Sequence, residues 1–307
     1  MPEPCYEWAA VHDEPVLAMR LAEEANYGAA YGFHDHRPAV ARKHWVKYAA
    51  TYFKDILREC EQYGLEHRTQ ANLTPLMAAC AAGNVPLVEA LLERGADPES
   101  TDHYGRNALH WTIRMASREP KFAKGPFAAL YERVAPSCID VKAGERLVRI
   151  DRHQSEYLLF QTFWALLKDR FAYAHRGPGG AFDSQTVLSA WEHFPTSVLR
   201  AQRNRRQHVS GVLARNEVNR DYAYNRALFL RASHGFYLLN PLLEVRGRQP
   251  EGETWRPTAS VLNLPLIKEF TIEYYKPAVD GYLEAAGLPS QLGKLFRERV
   301  DISRRRA

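Results

Sequence analysis

A mainly α-helical chain is what three observations in the sequence predict: a short stack of helical repeats, then a small α+β domain, then a helical C-terminal extension. Residues 72–113 contain an echo of themselves. Residues 174–183 (AHRGPGGAFD) hold three glycines and a proline, which break any regular element. Arginine is concentrated in the stretch after that break.

The echo fixes the first part. Thr74-Pro75-Leu76-Met77-Ala78 returns 33 residues later as Asn107-Ala108-Leu109-His110-Trp111. A period of that length suits a helix–turn–helix–loop unit. Pro75 can open a helix, because its missing N–H would be unpaired in the first turn anyway. Ala78, Ala79, Ala81 and Ala82 give a helix of little bulk, which lets a second helix approach. Gly83 ends it as a left-handed cap. Leu87, Val88, Leu91 and Leu92 recur at helical spacing and give the second helix a buried face. Gly95 ends that helix, Ala96-Asp97-Pro98 leads into a loop, and Tyr104-Gly105 turns the chain into the next unit.

These residues resemble an ankyrin repeat, above all Thr74–Ala79, the Leu91-Leu92 pair and Gly95-Ala96-Asp97. The resemblance covers about residues 42–135 and implies a protein-binding scaffold without shared chemistry. His103, Tyr104 and Arg106, at the clearest loop, are the candidate partner-binding residues.

The flanks follow from the same logic. A helix is predicted over 15–26 and a loop over 28–36, where Phe33-His34-Asp35-His36 has no third metal ligand nearby. Residues 40–63 carry a helical stripe of Trp45, Tyr48, Tyr52, Ile56 and Leu57, so 41–68 is read as a degenerate first repeat that caps the stack. After Met115 a polar insertion, 117–125, precedes a second helix over 126–134. Two alternating runs around Ala143-Gly144 predict a β-hairpin at 138–150. The apolar helix expected over 154–171 is read as the C-terminal cap. The first domain then spans 1–173 and the linker 174–183.

The second domain is placed at 184–248. Helices are expected over 185–194, 198–203 and 207–219, then two β-runs within 226–239 joined at Ser233-His234-Gly235. This order, with the ending Gly235–Pro241, is similar to a bacterial winged helix-turn-helix over about 183–245. That resemblance implies a third helix placed in a major groove. Arg206, Gln207, His208, Ser210, Arg215 and Asn216 would face base edges there. Arg200, Arg203 and Arg205 would lie beside phosphates, and Arg231 and His234 would sit on the wing. Residues 196–248 hold ten arginines, no lysine and three acids, a net +7 against +5 for the whole chain. Arginine's planar, bidentate donors suit nucleic acid, duplex DNA more than RNA. Residues 249–307 are read as the helical extension.

The totals exclude several classes. No run approaches the ~18–20 apolar residues of a membrane span. The N-terminal sequence MPEPCYEWAAVHDEP lacks a basic start and apolar core, so a cytoplasmic chain is expected. Cys5, Cys60, Cys80 and Cys138 have no paired spacing, so neither zinc nor disulfides are expected. Phosphate loops, nucleophile elbows and zinc-protease motifs are absent. The carboxylates Glu145, Asp151 and Glu156 lie near one another only in sequence. The sequence therefore reads as a non-enzymatic adaptor or regulator without cofactor or metal. It would hold a protein partner on the repeats and nucleic acid on the arginine-rich domain. The alternatives are a purely protein-binding scaffold, an accessory subunit of a larger bacterial defence or effector complex, and an undetected metal-dependent nuclease. No oligomeric state is assigned.

Overall fold

A computed structural model describes residues 49–68, 73–102, 104–171, 180–249 and 252–261. They fall into two compact units: Met1–Ala135 with Ala190–Arg200, and Pro136–Ser189 with Ala201–Ala307.

The first unit contains α1 (Phe53–Tyr63), α2 (Pro75–Ala82), α3 (Val85–Glu93), α4 (Ala108–Arg118), α5 (Pro120–Lys124) and α6 (Phe127–Val134). The helices α2 and α3 pack as a pair, α4 packs on α2, and α6 closes against both α3 and α4. The echo seen in sequence is an echo of caps. Thr74 accepts from the Met77 N–H at the start of α2, and Asn107 accepts from the His110 N–H at the start of α4. His110 returns the bond by accepting from the Asn107 N–H. These reciprocal bonds satisfy donors that a helix start leaves open. Residues Pro75 through Ala81 are all buried, which the small side chains permit.

The degenerate first repeat is latched to the second by polar bonds. Glu66 accepts from the Asp97 N–H at 2.8 Å and from Ser100 Oγ at 2.6 Å, and Arg68 donates to the Thr101 carbonyl at 3.0 Å. Asn84 donates to the Ala49 carbonyl at 2.8 Å.

Gly83 ends α2 with φ +75°, and a Cβ there would lie 2.9 Å from Pro126 Cγ and 3.2 Å from Phe122 Cε2. Gly83→Ala is therefore expected to cost about 2–3 kcal/mol, from left-handed strain and overpacking together. Gly95 also has positive φ but faces open space, so Gly95→Ala should cost about 1 kcal/mol. Urea unfolding of the two variants would measure the difference; equal costs would refute the steric part.

The closure of the stack differs from the expected one. The helix read as a cap is α7 (Ser155–Phe171), and it belongs to the second unit. The first unit instead takes residues 190–200 as its last layer. There Trp191, Phe194 and Leu199 are buried, and the Phe194 ring lies 4.5 Å from that of Phe127. The short helix expected over 198–203 is not formed, and turns occupy that stretch. The three-helix order of a winged helix is thereby interrupted. The physical reason is apolar demand: Phe194 packs on Phe127 and Leu199 is buried, so the segment follows burial and not a helical stripe.

The second unit contains β1 (Cys138–Ala143), β2 (Arg146–Asp151), α7, α8 (Ser184–Ala190, its last residue crossing into the first unit), α9 (Arg206–Arg215), β3 (Phe229–Ser233), β4 (Phe236–Leu239), β5 (Glu244–Gln249), β6 (Gly252–Pro257) and α10 (Thr258–Val261). The expected hairpin at 138–150 forms, with Val141 opposite Val148 and Gly144 at φ +61° in the turn. Its second edge partner is β5, through Val141 opposite Val245, giving an antiparallel sheet β2-β1-β5-β6. Asp140 holds this union on the exposed face, bonding Arg149 on β2 and Arg246 on β5. The Arg149 guanidinium keeps the Asp140 carboxyl below the usual carboxylate range. The domain end expected at 248 thus falls inside a strand, and the extension expected to be helical opens as β6.

Every residue from Tyr157 to Leu167 is buried, so α7 is the axis of this unit. Phe163 stacks on Phe182 at 4.1 Å and meets Phe229 at 4.9 Å. Phe182, at the end of the expected linker, bridges Tyr237 of β4 by two backbone bonds of 2.8 Å. The helix expected over 15–26, the cluster at 33–36, most of the linker and everything after 261 lie outside the described residues.

Candidate functional site

The candidate sites are built from three local arrangements. The first is the repeat loop. Asp102 is buried and its Oδ1 accepts from the backbone N–H of Tyr104 at 2.8 Å and of Arg106 at 2.9 Å. Its Oδ2 accepts from Arg106 Nε at 2.8 Å and from Trp111 Nε1 at 3.1 Å. The Arg106 guanidinium lies 4.3 Å from the Trp111 ring centroid and 5.2 Å from that of Tyr104. Of the three residues expected to grip a partner, Tyr104 and Arg106 are buried, and they hold the loop from inside. His103 lies outside the described residues. Among the described residues of the loop, Glu99 and Thr101 are exposed.

The second arrangement is the arginine-rich helix α9. Its inner face is Val209, Val212 and Leu213, all buried. Arg206, Gln207, Ser210 and Arg215 are exposed, and Arg205 is exposed just before the helix. Arg200 is exposed but belongs to the first unit. Arg203 donates to the His153 carbonyl at 2.7 Å. Arg231 donates to Tyr237 Oη at 2.7 Å and pairs with Glu217 at 3.5 Å. His234 is exposed at the β3–β4 turn. Asn216 does not face outward. It is buried, and its Nδ2 donates to the Val212 carbonyl at 2.9 Å and to Glu156 at 3.4 Å.

His208 is half-buried on α9, and burial lowers its pKa, helped by Arg203 and Arg215. The unfolded chain then binds a proton more readily than the folded one, with an ordinary pKa of ~6.5. Stability of the second unit is expected to be full above that value and to decline as pH falls through it towards the lower folded pKa. His208→Gln should flatten the decline, as read by chemical unfolding at a series of pH values; an unchanged slope would refute the assignment.

The third arrangement was not legible at the sequence level. Three buried asparagines, Asn216, Asn225 and Asn240, frame residues 216–240. Asn225 Nδ2 donates to the carbonyls of Glu217 at 2.6 Å and Arg220 at 2.8 Å, while its Oδ1 accepts from the Ala227 N–H at 2.7 Å. Asn240 Nδ2 donates to the Ala227 carbonyl at 2.7 Å. The signal available in sequence was the pair Asn225 and Asn240 flanking the two β-runs, the first of them next to the dense string Asp221-Tyr222-Ala223-Tyr224.

Among the described residues no group of three or more His, Cys, Asp or Glu side chains is arranged to hold a metal ion. None of their helices is long and apolar enough to cross a membrane. Burial pushes the Cys80 thiol up to about 12, and burial followed by Glu59 does the same to Cys60. Both therefore stay protonated and unreactive near neutral pH.

Paired antiparallel helices with a capped, loop-joined repeat define a helical-repeat scaffold. Residues 47–123 match the family described as ankyrin repeats, in three copies. The chain is also 39% identical over 75 residues to NF-kappa-B inhibitor delta of Mus musculus. That match covers 24% of this chain and 21% of the mouse protein, so the chain spans about a fifth of its relative's length. The repeats imply a protein partner.

Proposed function

We propose that the chain is a non-enzymatic regulator that captures a protein partner on its ankyrin repeats. The observation that carries this reading is the three-copy repeat at 47–123, supported by the 39% identity over 75 residues to a relative named as an inhibitor. Regulation by occupying a partner needs shape and exposed side chains, not reacting groups. Exposed residues of the repeat edge include Glu99 and Thr101 on the loop, Arg118 and Glu119 at the end of α4, and Lys121 on α5. Affinity purification of the full chain from its native host, followed by cross-linking mass spectrometry, tests the reading. Cross-links should fall within 47–123, and Glu99→Lys with Arg118→Glu should release the cross-linked partner. Cross-links that avoid this region, or recovery unchanged by the charge reversals, would remove it.

A second reading rests on α9. Arg205, Arg206, Gln207, Ser210 and Arg215 are exposed, and among the described residues no carboxylate pairs with Arg205, Arg206 or Arg215. We propose on this ground alone that the face meets the phosphates of duplex DNA. Neutralising about five phosphates gives a salt slope of roughly −4 to −5. A gel-shift series on duplex DNA at rising salt tests it, with Arg206→Glu/Arg215→Glu as the control expected to lose binding. No shift at low salt ends this reading.

A further inference from the structure

The loop that joins α9 to β3 is fastened on its inner side and bare on its outer side. Inside, Asn225 ties the carbonyls of Glu217 and Arg220, and its own N–H donates to the Tyr222 carbonyl at 2.9 Å. Arg146 donates to the Asn225 carbonyl. Ala227 is the one non-glycine residue with positive φ among the described residues, at +53°. It is held there by Asn225 on its N–H and Asn240 on its carbonyl. Such a conformation persists only where the surroundings over-determine it, and it marks a backbone fixed for a purpose other than its own stability.

Outside, residues 219–224 are all exposed. Tyr222 is 42% exposed and Tyr224 79%, the most exposed large apolar side chain among those described. Their ring centroids are 6.0 Å apart with planes at 68°. Leu242, 55% exposed, stands on the turn that Asn240 organises by accepting from the Leu242 N–H. Both turns therefore hang from Ala227. Solvated aromatic rings on a fastened backbone, with few rotatable bonds of their own, lose little conformational freedom on binding and gain apolar burial, which is the character of interface hot spots.

Charge selects the occupant. Arg215 and Arg220 flank the loop and are exposed, within a stretch of net charge +7. We propose that Tyr222, Tyr224 and Arg220 form a second docking surface, one that takes an acidic protein segment carrying apolar side chains. Two features favour protein over single-stranded nucleic acid. Asp221 sits exposed at the tip, where a carboxylate repels phosphate but accepts a peptide N–H. The two rings stand edge to face, whereas successive stacked bases need rings presented to a common stack. The surface lies in the second unit and uses none of the repeat residues, so it stands or falls apart from the ankyrin reading.

The test pans a displayed random peptide library on the full chain and measures a selected peptide by fluorescence anisotropy. Selected sequences should be enriched in Asp and Glu beside apolar residues. Tyr224→Ser should weaken the selected peptide by about tenfold or more, the scale of an anchor residue, and Arg220→Glu should weaken it further. Leu147→Ser, at an exposed site on β2, should leave it unchanged. Because Tyr224 is largely solvated, the variant keeps the wild-type melting curve, which is measured alongside. An enriched set without acidic bias overturns the proposal, as does equal affinity for Tyr224→Ser and wild type. Tyrosine-dependent binding of oligothymidylate without a tyrosine-dependent peptide would assign the loop to nucleic acid and overturn it as well.

Discussion

Asp102→Ala is expected to destabilise the repeat unit by about 3–5 kcal/mol, the cost of leaving a buried ion without its partner. The carboxylate accepts from two backbone N–H groups, the Arg106 guanidinium and the Trp111 indole. The Arg106 side chain is 6% exposed, so water cannot replace what is lost. The loop between α3 and α4 loses its turn bonds at the same moment. Denaturant unfolding followed by Trp111-sensitive fluorescence would read the change. A loss below about 1 kcal/mol would mean that the loop relaxes to admit water and that the buried pair is not the source of its order. The double variant Asp102→Ala/Arg106→Leu should recover part of the loss, because no charge is then stranded. That recovery separates the ionic contribution from simple loss of the turn.

Phe163→Ala is expected to cost the second unit about 3–5 kcal/mol, as for other fully buried aromatics. Its ring is fully buried between Phe182 and Phe229. Those two rings belong to segments distant in sequence, the end of the expected linker and the first strand of the β3–β4 hairpin, and Phe163 packs against both. The Phe182 and Phe229 backbones beside it are held by hydrogen bonds to Tyr237 and Asn216, so collapse into the space is limited. Thermal unfolding monitored separately for the two units would show the drop confined to the second. A comparable drop in the first would refute this placement of the residue.

Much of the first unit was legible because local signals there agree. Thr74, Pro75, Gly83 and Asn107 act within a few residues of themselves, and caps and left-handed turns are local physics. The hairpin at 138–150 and the β3–β4 pair were legible for the same reason: a glycine turn joins adjacent runs. What could not be read were pairings across long sequence distances. β5 holds Glu244, Arg246 and Arg248 in its sequence, so its composition looks like loop; only Asp140, some hundred residues earlier, shows why it is strand. Trp191 and Phe194 look like one helix face with Val187 and Leu188, and only Phe127 shows where Phe194 goes. Site residues failed because of their partners. Arg106 and Asn216 carry chemistry suited to a surface, yet buried Asp102, four residues before Arg106, and half-buried Glu156, 60 residues before Asn216, turn them inward. Tyr222 and Tyr224 were overlooked because aromatic residues are normally core, and their exposure depends on the distant clamps Arg146 and Asn240.

The route of the chain bears on inheritance. It leaves the first unit after Ala135, returns for Ala190–Arg200, and leaves again. Ankyrin repeats are commonly thought of as cassettes that recombination can move intact between genes. Here a crossover in the glycine-rich stretch would carry away the repeats and leave their last layer behind, with Phe127 uncovered. A gene that acquired residues up to 135 alone would lack the Phe194 ring that lies against Phe127.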